Sequence, residues 1–318
     1  MPHTLKNKRN IFPAFLILFL SFVLALTVLI KPIIIFYVKE QIKKSSGADK
    51  ITIKDCHLKF LYYIAFDDVQ IHKLKEFDIS VKEFSVEVDP WRMIIGASPF
   101  HFISEARVSN LRLDAQASNF KLDNGNLMIN REIPGVLSID KVQSGNLILS
   151  KIRSTVVMDK QEIILQPLSG QIFSGYFDGN VRVAVQQDPP YSAQINFNSL
   201  DLADFVDAFN LNEKTKIQGR MAGHLELNGQ GKDIRILNGN FSSGNQGGIV
   251  VIKDTRFLEH FAGQSNQSSE LLMESLRNYH YNTGNLKLSM DQGVALLEIN
   301  LNGETGKRNF QIRLHDFF

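Results

Sequence analysis

Eight histidines, at positions 3, 57, 72, 101, 224, 260, 280 and 315, are the side chains of this 318-residue chain best suited to proton transfer or metal ligation near neutral pH. Their spacing does not assemble a site. No H-E-x-x-H pair occurs, and the one cysteine, Cys56, excludes an internal disulfide and a cysteine-rich zinc cluster. Cys56 reads as a buried, inert thiol. His280 stands between Tyr279 and Tyr281, as a strand residue whose neighbours point the other way. Gly229-Gln230-Gly231-Lys232 resembles a phosphate loop, but it lacks the first glycine at the required distance and the hydroxyl residue after the lysine, so a hairpin is the better reading. Gly244 to Gly248 fails the G-x-G-x-x-G pattern, and no G-x-S-x-G elbow occurs. Carboxylates are abundant without any pair standing out. The expectation is a protein that is not an enzyme, with no catalytic residue, no metal and no cofactor.

Composition removes a further class. Charged residues make up 21% of the chain, with 35 Lys and Arg against 33 Asp and Glu, and no basic stripe with interleaved aromatics occurs in the body of the chain. Such a chain has no broad attraction for phosphates, so nucleic acid is not an expected partner.

The segment from Ile11 to Ile30, "IFPAFLILFLSFVLALTVLI", is twenty residues without a charge. At 1.5 Å per residue it matches the ~30 Å hydrocarbon core of a bilayer. A cleaved signal has an apolar core of about 7 to 15 residues and a small-x-small site. This run continues instead into Lys31, Pro32 and a second apolar patch, Ile33 to Val38. The reading is a single uncleaved transmembrane helix at 11–30, within an anchor and flank spanning 11–38. Residues 1–10 then form a cytoplasmic tail, and the bulk of the chain lies on the far side.

From Lys50 onward the dominant period is two. Phe77-Ile79-Val81, Phe84-Val86-Val88 and Leu111-Leu113-Ala115 alternate with polar residues, as do Val181-Val183-Val185, Leu225-Leu227, Leu286-Leu288-Met290, Leu297-Ile299-Leu301 and Phe310-Ile312-Leu314. Between these runs stand Gly, Asn, Asp and Pro clusters, among them Asp123 to Asn126, Ser144 to Asn146, Asp178 to Asn180 and Asn238 to Asn240. Half-buried strands joined by hairpins are what this predicts. In "SGQIFSGYFDGNVRV", residues 169–183, Gly179 reads as a hairpin turn residue, Gly170 as the end of a strand, and Gly175 as a bulge or bend. Only Ser199 to Asn210, capped by Ser199 or Asp201, Ser268 to Tyr279, and a turn at Pro90 to Ile95 look helical.

Two or three short helices cannot cover a sheet of about 15 to 18 strands. An apolar side chain withdrawn from water is worth about 1.5 to 3 kcal/mol, so a bare face would forfeit tens of kcal/mol against a net stability of about 5 to 15. The sheet must fold on itself as a sandwich or barrel, or curl into a trough whose floor something else covers. Alternation alone leaves both open. The expected fold is all-β: a transmembrane helix, then a long, curled, mostly antiparallel sheet with two or three short helices. The division expected is 39–160 and 161–318. The face expected to be apolar carries Val181, Val183, Val185, Leu225, Leu227, Leu286, Leu288, Met290, Leu297, Ile299, Leu301, Phe310, Ile312 and Leu314.

A succession of fragments carries a resemblance. "LQPLSGQIFSGYFDGNVRV", "PPYSAQINFNSLDLADFVDAF", "TKIQGRMAGHLELNGQGKDI" and "LNGNFSSGNQGGIVV" follow one another between Ile163 and about Ala262. In that order they resemble the C-terminal region of the AsmA-like family of bacterial envelope proteins. "VDPWRMIIGASPFHFISEARVSNLRLDA" is similar to members of the same family, and the closing "GVALLEINLNGETGKRNFQIRLHDFF" to its YdbH-type branch. The resemblance implies an inner-membrane protein whose periplasmic β-groove conducts phospholipid acyl chains and supports outer-membrane lipid homeostasis. In that reading the fourteen residues above face lipid. A groove of 15 to 18 strands stacked at about 4.8 Å is roughly 70 to 85 Å long, which leaves room for an outer-membrane or periplasmic protein partner. Two other functions are weighed against it: an anchored β-sandwich that serves as an assembly module for another envelope protein, and a surface enzyme acting on envelope glycans.

Overall fold

A computed structural model describes residues 31–59, 62–73, 76–94, 103–159, 162–186, 188–231, 233–253, 277–291 and 294–314. The expected span at 11–30 lies outside the described residues, as do residues 268–276 of the expected helix at 268–279; its last three residues are a turn at 277–278 and Tyr279, which opens a strand. No helix among the described residues is long and apolar enough to cross a membrane. The chain is all-β with few helices, and it divides into two compact units, Met1–Asn110 and Leu111–Phe318. The divisions expected from sequence, 39–160 and 161–318, are a different partition from these two units.

The first unit holds a helix, α1, over residues 31–46 and four antiparallel strands: β1 (Lys50–Thr52), β2 (Asp55–Lys59), β3 (Tyr63–Lys73) and β4 (Phe77–Val88). β3 is central, pairing with β1 and β2 along one edge and with β4 along the other. Phe66 and Val69, three residues apart on either side of Asp68 with its φ of +48°, both enter a core with Ile53 and Cys56, and Phe66 stacks on Phe84 at 6.3 Å. Burial pushes the Cys56 thiol up from its ordinary pKa, which keeps it protonated. Ile34, Ile35 and Val38 of α1 pack on this core. The helix stops at Gly47, whose φ of +64° suits glycine and whose N–H donates to the Lys43 carbonyl at 3.0 Å. A one-turn helix, α2 (Pro90–Ile94), follows β4, as the sequence predicts for Pro90 to Ile95.

Strand β5 (Ile103–Ala115) runs through the division between the units. In the second unit β6 (Phe120–Asn130), β7 (Gly135–Ser144), β8 (Leu147–Asp159), β9 (Glu162–Ile172), β10 (Gly175–Ala184), β11 (Pro190–Asp201) and β12 (Thr215–Gln230) pair in sequence order, all antiparallel. β12 then forks. Its C-terminal part pairs with β13 (Asp233–Ser242), which leads to β16 (Thr283–Asp291), β17 (Val294–Gly303) and β18 (Gly306–Leu314). Its N-terminal part pairs with β14 (Gly248–Ile252), which pairs with β15 (Tyr279–Tyr281). The helix between β11 and β12, α3 (Leu202–Ala208), is capped by the Asp201 carboxylate, which accepts from the Ala203 N–H at 2.8 Å.

Several turn assignments are corrected. Asn124-Gly125 lies within β6, Asp178-Gly179-Asn180 within β10 and Asn238-Gly239-Asn240 within β13. Gly170 does not end a strand, since β9 continues to Ile172. The β9–β10 turn is made by Phe173 and Ser174, with φ of +47° and +52°, and Gly175 is the first residue of β10. Phe173 is held there by the Asp201 N–H, which donates to its carbonyl at 2.8 Å, and by edge-on contact with Phe205 at 5.6 Å.

Candidate functional site

Residues opposite one another in an antiparallel pair share a face, so the registers of the second unit can be followed from strand to strand. One row runs Gly170, Phe177, Phe197, Gly223, Phe241, Leu286, Ile299 across β9, β10, β11, β12, β13, β16 and β17. The next runs Leu168, Gly179, Ile195, Leu225, Gly239, Leu288, Leu297, and a third Leu165, Val181, Ala193, Leu227, Leu237. Met290 and Ala295 form a pair two residues further along β16 and β17, and Val183 pairs with Ile163 and Tyr191. Every rung of this face is apolar or glycine.

The opposite face is mainly polar, with Tyr176 and Ile236 exposed among its polar residues. Asp178, Asn180, Asn196, Gln194, His224, Glu226, Asn240 and Lys287 occupy the intervening positions. They are joined across strands: Asn196 Nδ2 donates to Asp178 at 3.2 Å, Gln194 Nε2 to Glu226 at 3.4 Å, and His224 Nδ1 lies 2.8 Å from Asn196 Oδ1. Water can solvate one face and not the other.

The glycines belong to the apolar rows for a packing reason. A Cβ at Gly170 would stand 2.6 Å from the Phe177 ring, and one at Gly223 would collide with the Phe241 ring. The rings lie over the glycine backbones, filling the space a side chain would take. The ring centroids of Phe177 and Phe197 are 6.4 Å apart and those of Phe197 and Phe241 5.8 Å, so the aromatics form a continuous strip over β10 to β13. At Gly179 a Cβ would run into the Gln194 carbonyl, and the register to β9 shifts beside it. That is a bulge, which bends and twists a strand.

The cluster around Ile152, Leu168 and Phe177 draws its partners, Ile139, Val142, Leu149, Ile172, Val181, Ile195 and Phe197, from five consecutive strands, β7 to β11. These side chains touch along one layer. A sandwich core would add residues from a facing sheet. Nine apolar residues of the face, Val181, Val183, Leu225, Leu227, Leu286, Leu288, Met290, Leu297 and Ile299, are accordingly half-buried.

At the β12 fork the same face is treated differently. β14 and β15 bring Tyr279 and Tyr281 onto Leu301, with Val250, Ile252 and Ile299 packed around them. Tyr279, Tyr281 and Leu301 are 1%, 4% and 8% exposed. The Tyr281 hydroxyl donates to the Gln218 carbonyl at 3.1 Å, and burial pushes its pKa up to about 12. Here protein covers protein.

Of the fourteen residues named from sequence, Val181, Val183, Leu225, Leu227, Leu286, Leu288, Met290, Leu297, Ile299 and Leu301 share the apolar face, Leu301 at its closed end. Phe310, Ile312 and Leu314 stand opposite Ile299, Leu297 and Ala295 in the β17–β18 register. Val185 lies beyond the last residue of β10 and is 48% exposed. Sequence reasoning missed Phe177, Ile195, Phe197, Leu237 and Phe241, although each alternates with a polar neighbour in "YFDGN", "QINFN" and "ILNGNF". Among the described residues no group of three His, Cys, Asp or Glu side chains is placed to hold a metal.

The family model described as YdbH-like, "Intermembrane phospholipid transport protein YdbH", matches residues 101–313. The chain belongs to the YdbH-like family. The match spans about two thirds of the 318 residues and reaches every strand of the second unit. The YdbH-type resemblance read from "GVALLEINLNGETGKRNFQIRLHDFF" is thus borne out by a match over residues 101–313. Comparison with curated proteins finds no match, and neither does comparison with solved structures.

Proposed function

We propose that this protein carries phospholipid between membranes by seating acyl chains on the apolar face of its second unit. It is anchored in the bacterial inner membrane by residues 11–30, with the bulk of the chain in the periplasm. The observation that carries the proposal is a continuous apolar face of nine half-buried side chains backed by a polar one. If hydrocarbon recovers about a quarter of the ~1.5 to 3 kcal/mol that full burial of each is worth, the nine together gain about 3 to 7 kcal/mol. That is comparable with the net stability of a domain, ~5 to 15 kcal/mol.

The dimensions fit such a cargo. From β9 to β17 the first row crosses seven strands, about 29 Å at ~4.8 Å per step, close to the ~30 Å hydrocarbon core that holds two acyl chains end to end. Only dispersion and exclusion of water hold a chain against such a wall, so the cargo can slide. The family description, intermembrane phospholipid transport, supports this choice of cargo. An outer-membrane or periplasmic protein would receive the lipid, and outer-membrane lipid homeostasis would depend on it. No step in this scheme calls for a catalytic residue.

Native mass spectrometry of residues 31–318, secreted into the periplasm and purified without detergent, tests the proposal. Co-purifying phospholipid is the expected result. A folded, lipid-free protein crosslinked to another envelope protein would favour an assembly module instead.

A further inference from the structure

Helix α1 carries two stripes. Ile34, Ile35 and Val38 face the core of the first unit, and Lys31 Nζ, 3.6 Å from the Asp55 carboxylate, ties the helix to β2. The rotation of the helix is thereby set. On its outward side Ile33, Phe36 and Tyr37 are 65%, 69% and 61% exposed, and Lys43 and Lys44 follow them about two turns later, also exposed. Three large apolar side chains facing water on adjacent turns need an occupant.

The sequence supplies one. The twenty uncharged residues of 11–30 directly precede the described part of α1 in sequence. Over the roughly 16 Å from Ile33 to Lys44 the outward stripe passes from aliphatic to aromatic residues and then to a charged stretch, in which the exposed Glu40 precedes Lys43 and Lys44. That is the order in which a bilayer presents hydrocarbon, the ring-favouring headgroup boundary and its anionic surface. A protein partner would be expected to find its aromatic anchors surrounded by a polar rim, whereas here the apolar side chains lie at one end of the stripe and the charged ones, Glu40, Lys43 and Lys44, at the other.

We infer that the outward stripe of α1 is a membrane-contact surface, with Ile33, Phe36 and Tyr37 in the headgroup–acyl boundary and Lys43 and Lys44 on the phosphates of anionic lipids. The inference rests on the proposed anchoring by residues 11–30. It goes further by placing the first unit directly on the bilayer, with no free tether between, so that lipid need not cross open water to reach protein.

The test reconstitutes the full chain into nanodiscs of phosphatidylcholine and phosphatidylglycerol with or without brominated acyl chains. The background is Trp91→Phe, which removes the one native indole, and the probes are Phe36→Trp and, as an independent second variant, Tyr37→Trp. Quenching of the introduced indole by half or more in brominated lipid is expected in both. A Lys43→Glu/Lys44→Glu variant should lower phosphatidylglycerol enrichment around the protein at least fivefold. If the protein inserts but both indoles stay unquenched with water-exposed emission, the contact surface is wrong and the anchor stands. Shielded but unquenched indoles together with a crosslinked second protein would assign the stripe to a protein contact and overturn the inference. A chain that fails to insert at all overturns the anchor and the contact surface together.

Discussion

The open rows of β9 to β13 and the closed end around Tyr279 and Tyr281 are built from the same alternation on the same sheet, yet they end in opposite states. At the closed end β14 and β15 lay a second layer over Leu301 and Ile299, and the two tyrosines are among the most buried side chains described. Over the open rows, Leu225, Leu227 and Leu286 have strand neighbours on both sides and remain half-buried. Alternation therefore specifies which side of a strand is apolar. What covers that side is decided elsewhere.

The sharpest way to break the comparison is to remove one side chain from each region. Tyr281→Ala should destabilise the lipid-free protein by about 3 to 5 kcal/mol, because a buried aromatic leaves a cavity and the Gln218 carbonyl loses its donor. Leu227→Ala should cost less, about 1 to 2 kcal/mol, since Leu227 is only half-buried. Urea denaturation of both variants checks this. Equal losses would mean that the open rows are covered after all.

The alkaline limb of stability distinguishes the regions next. The Tyr281 phenol titrates near 12 in the folded chain against about 10 when unfolded, so between these values the unfolded state has lost a proton that the native state keeps. Its contribution is whole below pH ~10 and is lost as pH rises towards 12, by about 2 to 3 kcal/mol in all. Tyr281→Phe should flatten that limb. Leu227→Ala should leave it unchanged.

Packing within the open rows gives a smaller effect. Gly170→Ala puts a Cβ against the Phe177 ring and should cost about 1 to 3 kcal/mol, with a matching loss of bound lipid as the aromatic strip is displaced. The smallest effect expected is at the α3 cap, where Asp201→Ala should cost about 1 kcal/mol by thermal melting and leave lipid content alone.

The face itself was legible in the sequence because β-branched and Leu residues alternate with Asn, Ser, Lys and Glu, which fixes parity strand by strand. The corrections share a different cause. Gly179 between Asp178 and Asn180 has the local composition of a turn, and only the approach of Gln194, distant in sequence, explains a glycine inside a strand. Phe173-Ser174 has no turn signature, and its positive φ angles are held by Asp201 and Phe205 from beyond the next strand. The fork at β12 depends on which partner each half of one strand finds, which no periodicity encodes. Asp201 as the α3 cap, by contrast, is a local signal, and it was readable.

Position-specific photocrosslinking in whole membranes tests the central claim most directly. A benzophenone amino acid is placed in turn at Glu226 and Leu227, and at Lys287 and Leu288, neighbours whose side chains leave opposite faces of the sheet. Phospholipid adducts at 227 and 288, and none at 226 and 287, are the predicted result. Adducts at both members of each pair, or protein adducts alone at 227 and 288, would contradict it.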